Sequence, residues 1–312
     1  MDMYYFIINP LASSGRAAGI WRDLKRYLDK HQIPYQVFMT SYPGHASQIA
    51  AQLTSGEERQ KDKVIVVLGG DGTLGEVISG VNISSKVSLS FIGAGSGNDF
   101  LKANHLAKSP KKRLKQILAA NRIEWLDYGV MSYIYGDLQQ KRFIVSSGIG
   151  LDAAICEGLQ VSPMKPFFNK IHMGRLSYVA VGLRRIMREK PFHCTLSLDG
   201  GEPMEFNRVR YVSVHVHPYE GGGFRFAPQA DNMDGEFDIC VVSGVGRMRL
   251  IRILLRSLRG KHRGCKGVNI YRCVSASIKT DVEKCIHTDG EICGHLKEFN
   301  VYCERRKLKM IL

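Results

Sequence analysis

The sequence predicts two fold classes in one chain: a doubly wound parallel α/β domain first, then a β-rich, mostly antiparallel domain. Three observations predict it. Uninterrupted apolar runs alternate with helical patterns up to residues 121–127, as in sheets buried on both faces. Glycine-rich turns directly follow several of those runs, where open α/β sheets bind ligands. Beyond that point short apolar segments are separated by turn signals such as Asp199-Gly200-Gly201.

Each element follows from its pattern. Tyr4 to Ile8 is a buried strand ending at Asn9-Pro10, and Ser13-Ser14-Gly15 turns the chain into a helix whose inner face is Ile20, Trp21, Leu24 and Leu28. A second strand, Tyr35 to Met39, precedes Thr40 and a helix carrying Ala46, Ile49, Ala50 and Leu53. The third strand, Val64 to Leu68, runs into Gly69-Gly70-Asp71-Gly72-Thr73 and a helix through Val77 and Ile78. The fourth, Val87 to Ile92, leads into Gly93-Ala94-Gly95-Ser96-Gly97-Asn98-Asp99-Phe100, and a basic helix covers residues 109–120. Strands are then expected at 128–135, 142–147, 193–198, 209–216, 237–242, 268–271 and 275–280, with helices near 174–188 and 247–259. The domains are placed at 1–124, completed by 303–312, and at 125–302.

Composition limits the function classes. A chain of 312 residues with 44% apolar and 23% charged residues fits two soluble globular domains. No apolar run approaches the roughly 20 residues of a membrane-spanning helix. The start of the chain has no charged stretch followed by an apolar one, so no signal peptide is expected, and a cytoplasmic setting follows. The 8 cysteines form no C-x-x-C pair, so free thiols rather than a zinc site are expected. A net charge of +15 suits anionic partners such as phosphorylated molecules or an acidic membrane face. No nucleic-acid fold signature accompanies it.

Gly69 to Thr73 is the sharpest local signal. Glycines permit positive φ and close backbone approach. The amides opening the next helix attract phosphate. Asp71 can serve Mg²⁺, and Thr73 can cap the helix or donate to a phosphate. A Walker A loop is absent, and Gly93-x-Gly95-x-Gly97 fails the dinucleotide fingerprint. In the second turn, Asn98 and Asp99 are positioned for ribose, phosphate or metal. Asp289-Gly290-Glu291 places two carboxylates on one turn. Asp231, Asp234, Glu236 and Asp238 crowd around Gly235 as hard oxygen ligands for Mg²⁺ or Ca²⁺. His215 and His217 share one strand face without a third ligand, which favours a structural role. In residues 247–266, Leu250, Ile251, Leu254, Leu255 and Leu258 form an apolar helical face. Arg249, Arg252, Arg256, Arg259 and Arg263 recur beside it. The pattern suits docking on anionic headgroups as well as an ordinary solvated face. Lys108, Lys111, Lys112, Arg113 and Lys115 form a second basic cluster with the same two readings.

Taken in order, these motifs resemble the diacylglycerol kinase family, which includes sphingosine and ceramide kinases. The resemblance rests on Asn9-Pro10 with Ser13-Ser14-Gly15, Thr40 with Gly44-His45-Ala46, Gly69 to Thr73 with Glu76, and Gly97-Asn98-Asp99-Phe100. It continues through Ser147-Gly148-Ile149-Gly150, Gly221-Gly222-Gly223-Phe224 with Pro228, and Asp289-Gly290-Glu291. One departure is Gly93 to Gly97, where relatives carry a proline; Ser96 keeps the hydroxyl.

The resemblance implies a nucleotide-binding α/β domain, an antiparallel β-sandwich and an active site in the cleft between them. It implies ATP and Mg²⁺ as cofactors and phosphoryl transfer to a lipid hydroxyl, with diacylglycerol the default acceptor. Asn9, Ser13, Thr40, Gly69, Gly70, Asp71, Gly72, Thr73, Glu76 and Ser96 would line the ATP site. Glu291 would accept the hydroxyl proton, with Asp289 orienting and Asp71 stabilising charge. Asp231, Asp234 and the carbonyl of Glu236 would hold a structural Mg²⁺. A lipid substrate, peripheral contact with the inner face of an anionic membrane, and a homodimer are the partners it leaves open; nucleic acid is not among them. The alternatives are an NAD kinase-like phosphotransferase and a catalytically inactive nucleotide- or lipid-binding regulator.

Overall fold

A computed structural model describes residues 3–95, 97–160 and 174–312, and in it the chain divides into two compact units. Unit 1 is Met1–Leu126 with Arg306–Leu312, and unit 2 is Asp127–Arg305.

Unit 1 is a parallel sheet with helices packed on it. Its strands are β1 (Tyr4–Ile8), β2 (Tyr35–Met39), β3 (Lys63–Gly69) and β4 (Val87–Gly93), ordered β4-β3-β1-β2. Every residue of β3 is buried, as befits a strand with neighbours on both edges. At the far end of the chain Met310 pairs with Leu89, adding the C-terminal segment to the β4 edge. Helix α1 (Arg16–Lys30) buries Ala17, Trp21, Leu24 and Leu28, and Trp21 lies 5.0 Å from the Phe6 ring. Helix α2 (His45–Leu53) buries Ala46, Ile49, Ala50 and Leu53, its whole apolar stripe. Helices α3 (Asp71–Gly80), α4 (Asp99–Ala103) and α5 (Pro110–Ala119) complete the layers; Ser109 caps α5 by accepting from the Lys112 amide.

One member of the basic cluster on α5 faces inward. Arg113 is fully buried. Its guanidinium donates to Phe91 O at 3.0 Å, Ser90 Oγ at 2.8 Å and Ile311 O at 2.6 Å. It ties β4 to the C-terminal segment, and burial pulls its pKa down to about 10. Only lysines of that cluster remain for an anionic surface. Helical spacing showed the charge without showing which face was covered.

Unit 2 is antiparallel. Its strands are β5 (Ile123–Tyr135), which begins in unit 1, β6 (Asp137–Phe143), β7 (Ser146–Gly150), β8 (Phe192–Leu198), β9 (Met204–His215), β10 (Tyr219–Glu220), β11 (Phe224–Arg225), β12 (Phe237–Ser243), β13 (Val268–Cys273), β14 (Ser275–Thr288) and β15 (Glu291–Ile311). The main order is β13-β12-β9-β7-β14-β15. The long strands β9 and β14 each pair with β8 along their first halves and with β7 along their second. That change of partner bends them around a core that includes Phe143, Ile149, Val212, Phe237, Ile286 and Phe299. Helices α6 (Leu151–Gln160), α7 (Gly174–Arg188) and α8 (Arg247–Ser257) accompany the strands.

Three expectations change here. The single strand expected at 142–147 is two, β6 and β7, because the Ile144, Val145 and Ser146 amides turn to the Asp289 carboxylate. No strand is expected after 280, yet Asp289-Gly290-Glu291 is the turn before the long strand β15, whose burial alternates at Phe299, Val301 and Cys303. On α8 and at its C-cap, Leu250 and Ile253 are buried while Leu255 and Leu258, two members of the expected apolar face, are exposed. All eight cysteines are free thiols.

Candidate functional site

In unit 1 the carboxyl ends of the parallel strands lie side by side, and their turns are bonded to one another. The Asn9 amide donates to Leu68 O at 3.0 Å, and the Thr40 amide donates to Ile8 O at 2.8 Å. The Asn9 side chain donates to Thr73 Oγ1 at 3.2 Å and accepts from the Leu11 amide. Ser13 and Ser14 both hold left-handed φ, of 54° and 56°, ahead of Gly15. For residues with a Cβ that backbone is strained, and such strain persists where the surroundings enforce it.

The glycines of Gly69 to Thr73 act through close approach and not through positive φ, which none of them has. A Cβ on Gly69 would lie 2.6 Å from Thr73 Oγ1, and one on Gly95 would lie 3.0 Å from the Gly70 Cα. The Ala94 amide donates to Gly69 O at 2.7 Å, so the two glycine turns sit backbone against backbone. Around Gly72 the space is open. Thr73 is buried and does not cap its helix; α3 has Gly70 at its N-cap and no side-chain cap bond.

Asp71 joins the two turns. Its Oδ2 accepts from the Asp99 amide at 3.1 Å and its Oδ1 from the Phe100 amide at 3.2 Å. It thereby serves the start of α4, not of its own helix. Burial, then the charge of Asp99, push its carboxyl up to about 6 against the pull of those two amides. Asp99 itself is buried and paired with Lys102 at 2.7 Å, which turns it away from the ligand roles expected of it. Asn98 Oδ1 lies beneath Gly93 and Gly95, also inward. Glu76 Oε2 accepts from the Ala46 amide at 3.2 Å and so holds the start of α2. Ser96 lies outside the described residues.

In unit 2 the two carboxylates of Asp289-Gly290-Glu291 separate in environment. Asp289 Oδ1 accepts from the Val145 and Ser146 amides at 2.8 and 3.0 Å, and Oδ2 from Ile144 at 3.0 Å. Its φ is 48°, and burial pushes its carboxyl up to about 6. Glu291 is exposed, with Lys141 Nζ at 4.0 Å. Asp289 is pinned, and Glu291 is accessible.

The acidic turn at 231–238 does not form an oxygen cage. Asp231 and Asp234 each accept from an amide two residues on. The Arg272 guanidinium sits among Asp234, Glu236 and Asp238, bonded to the first and 3.5 and 3.6 Å from the others. With a cation already there, Asp231, Asp234 and Glu236 do not fit a structural Mg²⁺ as arranged. His215 and His217 are buried. His215 Nε2 lies 2.9 Å from Ser213 Oγ, and His217 Nδ1 accepts from the Tyr219 amide at 3.3 Å. Among the described residues they make no metal cluster with a third ligand.

Unit 2 also contains an apolar cavity of about 160 Å³ between α6, α7, α8 and the β10–β11 hairpin. Its walls include Ile155, Leu183, Ile186, Phe224, Phe226 and Leu254, and Asp152 and Glu220 give it carboxylates. Gly221, Gly222 and Gly223, all with positive φ, form the hairpin turn at its edge. Sequence reasoning missed Asp152, Glu220 and His287, which meet beside this cavity from separate elements. The one local signal was Asp152 two residues past Gly148-Ile149-Gly150.

Comparison with known proteins agrees with this plan. Residues 3–131 match the family model "Diacylglycerol kinase catalytic domain", and 147–311 match "YegS C-terminal NAD kinase beta sandwich-like domain". YtlR of Bacillus subtilis, a provisionally assigned lipid kinase, is 30% identical over 298 residues, with 94% of each chain covered. The chain belongs to the diacylglycerol kinase family of lipid kinases. A diacylglycerol kinase of Bacillus subtilis is 24% identical, covering 81% of this lipid kinase and 80% of its own length. A solved structure of a provisionally assigned diacylglycerol kinase from Bacillus anthracis shares the fold, with a TM-score of 0.76 at 22% identity, covering 99% of this chain and 97% of that one. The lipid kinase thus has an α/β catalytic domain and a C-terminal β-sandwich. Among its described residues no helix is long and apolar enough to cross a membrane.

Proposed function

We propose that this lipid kinase transfers the γ-phosphoryl group of ATP·Mg²⁺ to the free hydroxyl of diacylglycerol, giving phosphatidic acid. The observation that carries the nucleotide half is the Asp71 junction. Two glycine turns at parallel strand ends are locked together by one carboxylate, leaving open backbone at Gly72 at the start of α3. Asn9, Ser13, Thr40, Gly69, Gly70, Gly72, Thr73 and Glu76 frame that surface as the nucleotide site. Asp71 holds both turns in register and adds negative charge where the nucleotide's Mg²⁺ binds.

The apolar cavity supports the lipid half, because it offers a dry wall for acyl chains within the β-sandwich domain. Phosphoryl transfer needs mainly positioning and charge stabilisation, plus an acceptor for the hydroxyl proton. Glu291 is that acceptor, since its carboxylate is accessible while that of Asp289 is engaged with three amides. Asp289 fixes the turn that presents Glu291. No step is assigned to the 231–238 turn. The arginines of α8 supply a basic surface on unit 2 for peripheral contact with anionic membrane, and the lysines of α5 supply a separate one on unit 1.

The test is a radiolabelled ATP assay against diacylglycerol, other lipid alcohols and NAD, with Mg²⁺ present and then chelated. Label should enter phosphatidic acid only with Mg²⁺, and Asp71→Asn should nearly abolish it while the circular dichroism is kept. Transfer to NAD but not to lipid would overturn the proposal.

A further inference from the structure

The trio beside the cavity is unusual in its charge. Asp152 comes from α6, Glu220 from β10 and His287 from β14, and their ligand atoms all lie within 4.8 Å of one another. His287 is fully buried, with Nε2 3.5 Å from Asp152 Oδ2 and 3.5 Å from Glu220 Oε1. Both separations exceed an ordinary N–H···O bond. Among the described residues, Asp152 Oδ2 and His287 Nε2 are buried polar atoms without a hydrogen-bond partner. The other oxygen of Asp152 is used, accepting from the Ala153 amide at 2.7 Å.

The backbone makes room for this arrangement. Gly148 is the cross-strand neighbour of His287, and a Cβ there would lie 2.0 Å from Asp152 Oδ2. The Gly290 amide donates to His287 Nδ1 at 3.2 Å, so the ring hydrogen lies on Nε2, towards the two carboxylates. Among the described residues, His215, Cys156 and Tyr211 beside the trio bring no positive charge. Burial pushes His215, 3.6 Å from Glu220, down to about 3, and raises the Cys156 thiol and Tyr211 hydroxyl well above their ordinary values. Two carboxyl side chains face a single imidazole, so acidic groups outnumber basic ones in the trio.

We infer that Asp152, Glu220 and His287 are the polar end of the lipid cavity, and that they select a hydrogen-bond-donating lipid alcohol without negative charge. The inference rests on the reading that this cavity takes the lipid substrate. A neutral hydroxyl such as that of diacylglycerol donates to Asp152 Oδ2, which has no hydrogen-bond partner among the described residues. A phosphodiester head, as in phosphatidylglycerol, brings an anion against two carboxylates in a site of low dielectric. Long-range forces act the other way. The chain carries +15, and Arg249, Arg252 and Arg256 line the surface on the outer side of α8, so anionic lipids are drawn to the protein. Discrimination against them must therefore arise locally. Asp152 and Glu220 are specificity residues, and His287 is a positioning residue that holds both carboxylates and, through Gly290, the turn bearing Glu291.

The experiment compares dioctanoylglycerol with dioctanoyl-phosphatidylglycerol, matched in acyl chains. Binding is read without ATP, by displacement of a fluorescent short-chain diacylglycerol from the full-length chain. Turnover is read separately in neutral mixed micelles. Wild type should favour the neutral lipid by about a hundred-fold in both readouts, because like charges brought together across a binding site suppress the wrong ligand. Asp152→Asn with Glu220→Gln should bring that ratio within about ten-fold, by raising KM for the neutral lipid and lowering it for the anionic one. Gly148→Ala, which leaves both carboxylates in place chemically but displaces one, should move the ratio the same way. Equal displacement by the two lipids, or a ratio unchanged in a folded double variant, overturns the inference. If the neutral lipid is bound selectively but never phosphorylated, the selectivity stands and the kinase reading falls.

Discussion

Replacing Asp289 by asparagine separates the two carboxylates of the 289–291 turn. In Asp289→Asn one side-chain oxygen can still accept from Val145 and Ser146, but Nδ2 now faces the Ile144 amide, donor against donor. An unsatisfied buried amide costs about 1–3 kcal/mol, and the two remaining bonds weaken as their charge is lost. Relief from burying a carboxylate, which holds its pKa near 6, offsets part of this. A net loss of about 1–2 kcal/mol remains, or a melting temperature lower by about 2–8 °C for a domain of this size. Glu291→Gln is exposed and should change stability by less than about 0.5 kcal/mol while removing the proton acceptor and most of the turnover. Denaturant melts, lipid kinase rates and amide hydrogen exchange at residues 144–146 check the pair. Unchanged protection of those three amides in Asp289→Asn would refute the pinning role, and full activity in Glu291→Gln would refute the division of labour.

Further outcomes follow from the same geometry. Arg113→Ala removes the guanidinium donor from Phe91 O, Ser90 Oγ and Ile311 O, the last keeping the Ser90 hydroxyl, and opens a cavity; unit 1 should lose about 3–5 kcal/mol in chemical denaturation. Gly80→Ala places a Cβ 2.0 Å from Ser47 O, a backbone atom that cannot swing aside, so the α2–α3 packing should be lost and little soluble protein recovered. Asp71 and Asp289 have folded carboxyls near 6, above the usual 3.8. The unfolded chain releases those protons by about pH 4 and the folded chain holds them to about pH 6, so stability should fall as pH rises through that window. Melts of the Asp71→Asn and Asp289→Asn double variant should lack that slope; a wild-type slope in it would refute the assignment.

The strands and helices of unit 1 were legible because each carries its own periodicity. Continuous apolar runs marked β1 and β3, and the four-residue stripe Ala46, Ile49, Ala50, Leu53 marked the buried face of α2. Strand β15 was missed because its short alternation at Phe299, Val301 and Cys303 is flanked by Lys297, Glu298, Glu304 and Arg305, which pairing rather than composition keeps extended. The break between β6 and β7 was invisible for a similar reason, since its cause is a carboxylate more than 140 residues away in the chain.

By itself the sequence determined the two-domain plan, the glycine turns at strand ends and the kinase family, since these depend on local period and on motifs contiguous in the chain. Tertiary structure alone decided what those residues do. It turned Asp71 towards α4, buried Arg113, set Asp289 on three amides, and brought Asp152, Glu220 and His287 to one point from three elements. Burial and partners are properties of neighbours in space. A carboxylate's charge, reach and pKa are fixed by them, and the order of residues along the chain does not carry that information.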